Sequence, residues 1–167
     1  KGCNSPHTVF VEESNEFSVQ DFCQSLGHGL QITSRLFPSN NLETSTVTRI
    51  LNLRAEYSFK GKIYCSEGTD WTVLYNEDEK NIANPCFGRT IFVRKIKSVF
   101  DVLEEVNEFH QSVGLSVLEE FKEKIVDELS LRGVARCPDI GKMSIFELPW
   151  DGIFPLETMV RWSYYYD

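Results

Sequence analysis

The residue of this chain best suited to covalent chemistry is Cys3, which is followed by the turn-forming stretch Asn-Ser-Pro. Ser5 and Pro6 form a typical N-cap and first-position pair, so we expect a short helix to begin directly after the cysteine. The free N–H groups at a helix start favour a thiolate and can also bind an oxyanion. Cys3 is therefore a candidate nucleophile, and packing beside a turn is the alternative.

The remaining cysteines and the histidines show no pattern of a metal site or a disulfide framework. Four further cysteines have spacings that match neither, and we expect them to fill the core: Cys23, Cys65, Cys86 and Cys137. The histidines at 7, 28 and 110 share no ligand spacing, so no metal is predicted. His7 would lie one turn along the expected helix, where it could approach the thiol of Cys3.

Composition limits the possible classes of protein. The chain has 167 residues, of which 41% are hydrophobic, and this is enough for one domain with its own core. A net charge of −8 disfavours binding to the phosphate backbone of nucleic acids. The sequence contains no long apolar run and no secretion signal. We therefore expect a soluble cytoplasmic protein without a membrane span.

Hydrophobic periodicity predicts alternating strands and helices. We expect strands at 8–11, 62–65, 71–75, 89–93, 114–117 and 133–136. We expect helices starting at Ser18, at Thr44 or Ser45 (with Val47, Ile50, Leu51 and Ala55 on its apolar face), near 99 and near 118. Segments 62–65 and 71–75 should form a hairpin, and 76–80 a charged surface loop. The predicted fold class is α/β, with a mainly parallel sheet covered by helices.

Three segments together resemble a known family of enzymes. They are the Cys-x-Ser-Pro opening, "NPCFGRTIFV" at 84–93 and "WDGIFPLETMVRW" at 150–162. The chain from 3 to about 162 resembles the acyl-CoA reductase family, which includes the LuxC-type long-chain fatty-acyl reductases of bacterial luminescence. That family belongs to the aldehyde dehydrogenase superfamily, so the resemblance implies an aldehyde-dehydrogenase-like catalytic domain over residues 1–167. It also implies an N-terminal Rossmann-like cofactor-binding domain that this chain lacks.

The resemblance implies roles for individual residues. Cys3 would be the residue acylated by the thioester substrate, and Phe87 and Gly88 match a Glu-x-Phe-Gly motif that contacts the nicotinamide ribose. Pro85 stands where that motif has its glutamate. Further along the chain, the family motif implies a substrate-binding role for Trp150, Asp151 and Gly152, with packing as the alternative.

Two further groups of residues carry open alternatives. The basic residues Arg89, Arg94, Lys95 and Lys97 either contact coenzyme A phosphates or are solvated flanks of a strand and a helix. The C-terminal "RWSYYYD" is rich in aromatic residues and could form an edge strand at a subunit interface.

The function implied by the resemblance is NADPH-dependent reduction of a fatty acyl thioester to an aldehyde through a cysteine acyl-enzyme. The acyl donor would be acyl-CoA or an acylated partner protein, and the enzyme would be a homo-oligomer or part of a reductase complex. Two alternatives remain: an aldehyde-oxidising dehydrogenase, or a non-catalytic module that docks an acyl-transferase or synthetase partner.

Overall fold

A computed structural model of the chain describes residues 5–38, 42–146, 148–149, 152–161 and 163–165. The chain divides into two compact units, residues 1–105 and 106–167. The first unit contains a sheet and two long helices, whereas the second is built around one helix of medium length.

Within the described residues of the first unit, four strands form one sheet in the order β1-β4-β3-β2. The strands are β1 (Thr8–Glu12), β2 (Lys62–Cys65), β3 (Thr72–Tyr75) and β4 (Thr90–Ile96). β4 lies between β1 and β3 and pairs with both in parallel, while β2 and β3 form the expected antiparallel hairpin. The prediction of a mainly parallel sheet is therefore confirmed.

One helix packs on each face of this sheet, namely α1 (Val19–Leu36) and α2 (Thr44–Lys60). Successive residues of β3 point to opposite faces, so Val73 contacts the α1 side and Leu74 the α2 side. All four residues of β3 are buried. A central strand covered on both faces is expected to be largely apolar, and β3 is so except for Thr72, whose buried hydroxyl accepts hydrogen bonds from the Arg54 guanidinium at 2.8 and 3.0 Å.

The start of α1 is as predicted. The side chain of Ser18 accepts a hydrogen bond from the backbone N–H of Asp21, and the Asp21 carboxylate accepts one from the backbone N–H of Ser18. The Ser18 hydroxyl also donates to the Asp21 carboxylate at 2.6 Å, and this bond, followed by the one from the Ser18 backbone N–H, lowers the pKa of Asp21. The reciprocal arrangement satisfies N–H groups that otherwise have no partner in the first helical turn.

The start and the buried face of α2 differ from the prediction. Thr44 is already helical, and the N-cap is Glu43, which makes no side-chain capping hydrogen bond. Leu51 and Ala55 are exposed, whereas the helix buries Ile50 and Tyr57, which lie seven residues apart and so share one face. The tyrosine is accommodated because its hydroxyl donates to a carboxylate, described below.

The apolar stripe from 99 to 109 does not form the predicted long helix. The structure has a 3₁₀ helix over Val99–Glu104, and Phe109 is 85% exposed. The Asn107 side chain accepts a hydrogen bond from the Phe109 N–H, and the His110 imidazole accepts one from the Asn107 N–H. Such local side-chain bonds compete with helical ones and explain the early end.

The second unit contains α3 (Glu119–Leu131) and the short α4 (Pro155–Met159). The helix predicted near 118 is therefore confirmed. The strands predicted at 114–117 and 133–136 are wrong, because these described segments form no ladder and take part in isolated bridges instead, Ser112 to Arg136 and Leu115 to Asp139. The described C-terminal residues, 161 and 163–165, form no strand.

Candidate functional site

The segment that follows the candidate nucleophile leads directly into the sheet. Cys3 itself lies outside the described residues. The predicted helix at Ser5 and Pro6 is wrong, because residues 5–7 are not helical. The carbonyl of His7 accepts a hydrogen bond from the Phe92 N–H at 2.9 Å, so the backbone already belongs to the parallel ladder with β4. The helix-based argument for a lowered cysteine pKa therefore fails.

His7 contacts one of the residues that the motif comparison singled out. The ring centroids of His7 and Phe87 are 5.9 Å apart, and the planes are inclined at 79°, an edge-to-face arrangement. Burial lowers the pKa of His7 below its reference of 6.5, so the imidazole is mostly neutral at neutral pH. The expected position of His7 in a helix is wrong, since it immediately precedes β1.

A second contact joins the same two segments. The Ala83 N–H donates to the Thr8 hydroxyl at 3.1 Å, four residues before Phe87. The structure thus brings the chain that follows Cys3 next to the loop that carries Phe87 and Gly88. Both lie at the amino ends of the parallel strands β1 and β4.

The loop before β4 has an unusual backbone. Gly88 has φ +73° and Arg89 has φ +53°, both in the left-handed region. A Cβ on Gly88 would lie 2.9 Å from Ile50 Cδ1 and 3.2 Å from Leu42 Cδ1, so glycine is required by space as well as by conformation. Phe87 is 47% exposed, which leaves much of its ring open to solvent.

Left-handed conformation is uncommon for a residue such as arginine. Sequence reasoning placed Arg89 in a strand and missed its conformation. The local signals of a turn are Asn84-Pro85 and the glycine directly before Arg89, and neither indicates that the arginine itself is left-handed. Pro85 is exposed in the same loop and offers no carboxylate in place of the motif's glutamate.

Two of the four basic residues, Arg94 and Lys95, are already paired with carboxylates, while Lys97 is exposed just after the end of β4. Arg94 is buried, pairs with Glu79 at 2.8 Å and donates to the Asn81 carbonyl at 3.0 Å. Lys95 pairs with Glu13 and with Glu77. For Arg94, both a phosphate contact and a solvated position are contradicted, because an internal carboxylate already holds its charge.

Glu79 is the centre of this internal network. It accepts hydrogen bonds from the Tyr57 hydroxyl and from Lys60 in addition to its pair with Arg94. Burial acts to raise the pKa of Glu79, but the bonds from Lys60 and Tyr57 and the charge of Arg94 outweigh it, so the pKa is lowered. The predicted surface loop 76–80 therefore contains a structural residue.

The other predicted residues are placed as follows. Trp150 and Asp151 lie outside the described residues. Gly152, in the second unit, has φ +79°, and a Cβ on it would lie 3.2 Å from the Cβ of Ala135. This is a conformational requirement for glycine, and it does not test a substrate-binding role.

The described cysteines differ in exposure. Cys23 and Cys86 are buried as predicted, Cys137 is half-buried, and Cys65 is exposed, which contradicts its expected place in the core. Burial raises the pKa of the Cys23 thiol to about 12, so it is inert as a nucleophile. Across the part of the chain that the structure describes, no cluster of three potential metal ligands occurs.

The family of the chain is decided by comparison with known proteins. A family model described as "Acyl-CoA reductase (LuxC)" matches residues 1–162. The chain belongs to the LuxC family of acyl-CoA reductases. This confirms the resemblance seen in the three short segments.

The chain is also similar to a protein of Vibrio harveyi named "Long-chain acyl-protein thioester reductase". The two are 25% identical over 146 residues, which is 85% of this chain and 30% of the relative. The chain thus spans about 30% of the length of this relative.

Among the described helices, none combines the length and apolar character needed to cross a membrane.

Proposed function

We propose that this chain is the thiol-bearing part of an enzyme that reduces a fatty acyl thioester to an aldehyde, with Cys3 as the acylated residue. Membership of the LuxC family supports the reaction class, and the name of the Vibrio relative supports an acyl thioester as substrate. The observation that carries the assignment of residues is the contact between His7, four residues after Cys3, and Phe87.

This contact limits the distance between Cys3 and Phe87, which the proposed reaction requires in one site. Four residues of fully extended chain reach at most about 14 Å. Cys3 is therefore tethered to within that distance of His7, whose ring lies against Phe87. A nucleophile and an exposed aromatic ring within one small region can act on the same acyl group in two steps, the thiol by holding it and the ring by positioning the hydride donor.

The reaction suits a cysteine. The Cys3 thiolate attacks the carbonyl carbon of the substrate thioester, and the substrate's C–S bond breaks as its thiol leaves. The acyl group is then held on Cys3 as a new thioester. A thioester carbonyl is more electrophilic than an ester carbonyl, so cysteine is better suited than serine to a reductive second step. When the acyl group leaves as an aldehyde, the Cys3 thiolate is regenerated.

The proposed cofactor is NADPH, which when bound supplies a hydride. The exposed ring of Phe87 fits a planar ring system, whereas the space beside Gly88 is filled by Ile50 and Leu42, so that Gly88 shapes the turn that carries the ring. Pro85 offers no carboxylate for a ribose, so that contact requires groups outside this loop. These residues therefore fit the nicotinamide end of the cofactor in part.

The rest of the proposal concerns the whole protein. We propose an aldehyde-dehydrogenase-like fold in which a cofactor-binding domain accompanies this chain, in a cytoplasmic homo-oligomer or reductase complex. The sheet, mainly parallel and covered by a helix on each face, supports that fold class. The family supports an acyl donor that is either acyl-CoA or an acylated protein.

Two assays with the complete protein separate this proposal from its alternatives. Incubation with a long-chain acyl-CoA should give a protein whose mass increases by one acyl group on the Cys3 peptide. Addition of NADPH should then release an aldehyde and remove the adduct. An unmodified Cys3 peptide would favour a docking module. NADP reduction in the presence of an aldehyde, without any acyl-CoA reduction, would favour an oxidising dehydrogenase.

A further inference from the structure

We infer that Arg89 is a positioning residue, whose guanidinium anchors the Phe87–Gly88 turn to the carboxyl end of α1 and so holds Phe87 against His7. The inference rests on the proposed function, because it assigns the anchored ring to the reductive step. It concerns a residue for which the sequence offered only contact with coenzyme A phosphates or a place on a solvated flank.

The backbone of Arg89 is the first observation. Arg89 has φ +53°, a conformation that a side chain with a Cβ disfavours, and it follows Gly88, which is also left-handed. The Arg89 carbonyl accepts a hydrogen bond from the Thr72 N–H at 3.0 Å, which starts the ladder between β3 and β4. The turn is therefore fixed on its strand side, and asparagine or glycine would adopt the same backbone with less strain.

The side chain of Arg89 is the second observation. Its Nη2 donates a hydrogen bond to the carbonyl of Phe37. Phe37 is the C-cap residue of α1, and its own N–H bonds to the Thr33 carbonyl at 2.8 Å. The carbonyl end of a helix carries a partial negative charge, so a guanidinium there is favoured by charge as well as by the hydrogen bond.

The remaining guanidinium nitrogen also indicates a constrained residue. Nη1 of Arg89 is buried and has no hydrogen-bond partner within the described residues. Arg89 thus combines a strained backbone with an unsatisfied buried donor, and both cost free energy. Such features persist where the surrounding structure or the function requires them. The benefit visible here is the link between the turn and α1.

The anchor and the ring contact involve the two residues that flank Gly88 in the turn. Arg89 is held by Phe37, while Phe87 meets His7, and Gly88 between them packs against Ile50. Loss of the anchor should let Phe87 move away from His7. Misplacement by about 1 Å of a group that orients a reactant can reduce a rate about a hundredfold. Acylation of Cys3 does not use Phe87 and should not respond.

The test uses three variants of the complete protein, Arg89→Met, Arg89→Gly and Arg89→Lys. Arg89→Met removes the anchor and keeps the backbone strain, whereas Arg89→Gly removes both. Single-turnover reduction of acyl-Cys3 by NADPH should fall about 10- to 100-fold in both variants, while acylation by acyl-CoA stays within about twofold. Arg89→Lys keeps a donor for the Phe37 carbonyl and should recover most of the reduction rate.

A second readout does not depend on activity. In protein labelled with ¹³C-histidine, the resonance of the His7 ring should move in Arg89→Met toward its position in Phe87→Leu, which removes the aromatic neighbour. An unchanged His7 resonance in Arg89→Met would overturn the anchor. Wild-type reduction rates in Arg89→Gly would also overturn it, because they would show that only the backbone matters. A wild-type protein that forms no acyl-Cys3 would refute the proposed function, while the His7 resonance would still decide about the anchor.

Discussion

Replacing Glu79 by glutamine is the sharpest test of the internal network that supports the sheet. The wild-type carboxylate is 27% exposed and faces Arg94, whose side chain is only 4% exposed, at 2.8 Å. In Glu79→Gln the arginine keeps neutral partners, the Asn81 carbonyl and the Tyr57 hydroxyl, and its charge is no longer compensated in a buried place.

The expected cost can be estimated from this geometry. Breaking a buried ion pair by changing one partner costs about 3 to 5 kcal/mol, and we expect about 3 kcal/mol because the glutamine oxygen still accepts one hydrogen bond. With an m-value of about 2 kcal/mol per molar urea, the unfolding midpoint should fall by about 1.5 M. This is a large part of the stability of an ordinary domain.

Glu77→Gln provides a matched control. Glu77 lies two residues away, is 69% exposed and pairs with Lys95 at 3.1 Å. An exposed pair of this kind contributes less than about 1 kcal/mol, so the urea midpoint should fall by less than about 0.5 M. Both variants should be measured by circular dichroism during urea unfolding of the chain.

The pH dependence supplies a second check on Glu79. Its folded-state pKa is lowered from 4.5, because hydrogen bonds from Lys60 and Tyr57 and the charge of Arg94 outweigh the opposing effect of burial. The extra stability of wild type over Glu79→Gln is thus complete above pH 4.5 and is lost as pH falls through the lower folded-state pKa. Equal midpoints for Glu79→Gln and Glu77→Gln at neutral pH would refute this reasoning.

Two further predictions concern glycine and cysteine positions. Gly88→Ala should destabilise the chain by about 1 to 2 kcal/mol, because residue 88 has a left-handed backbone and the new Cβ would contact Ile50. Gly29→Ala should stabilise the chain by up to about 1 kcal/mol, because Gly29 lies inside α1 and a Cβ there meets nothing within 4 Å. Thermal unfolding of both variants checks this, and equal shifts of the two melting temperatures would contradict it. Iodoacetamide should modify exposed Cys65 rapidly and leave Cys23 unmodified in the folded chain, as peptide mass mapping would show, and equal labelling of the two would contradict the burial described.

The parts of the fold that could be predicted from sequence are those with strong local signals. β1 and α1 can be predicted because 8–11 is a run of β-branched and aromatic residues and the apolar residues after Ser18 recur at helical spacing. The 99–109 stripe misled because helical spacing is also satisfied by residues of a short 3₁₀ helix and the turn that follows it. Periodicity shows which residues are apolar. It gives no information on the hydrogen bonds of the Asn107 and His110 side chains to the backbone, which compete with the hydrogen bonds of a helix.

The candidate site was predictable only in part. Phe87 and Gly88 were found through the family motif, and the structure adds that His7 lies against Phe87. The burial of Arg94 was not predictable, because its partner Glu79 is in a charged segment that a pattern assigns to the surface. A charged residue in a strand is buried only when the fold supplies a counter-charge, which is long-range information.

The most direct test of the central claim is the mass of the Cys3 peptide after the complete protein has met a long-chain acyl-CoA. We expect one added acyl group on this peptide, its removal by neutral hydroxylamine as expected for a thioester, and its absence in Cys3→Ala. NADPH should remove the group from wild type with release of one aldehyde for each enzyme. Acylation that persists in Cys3→Ala, or a Cys3 peptide that stays unmodified while reduction proceeds, would contradict the account.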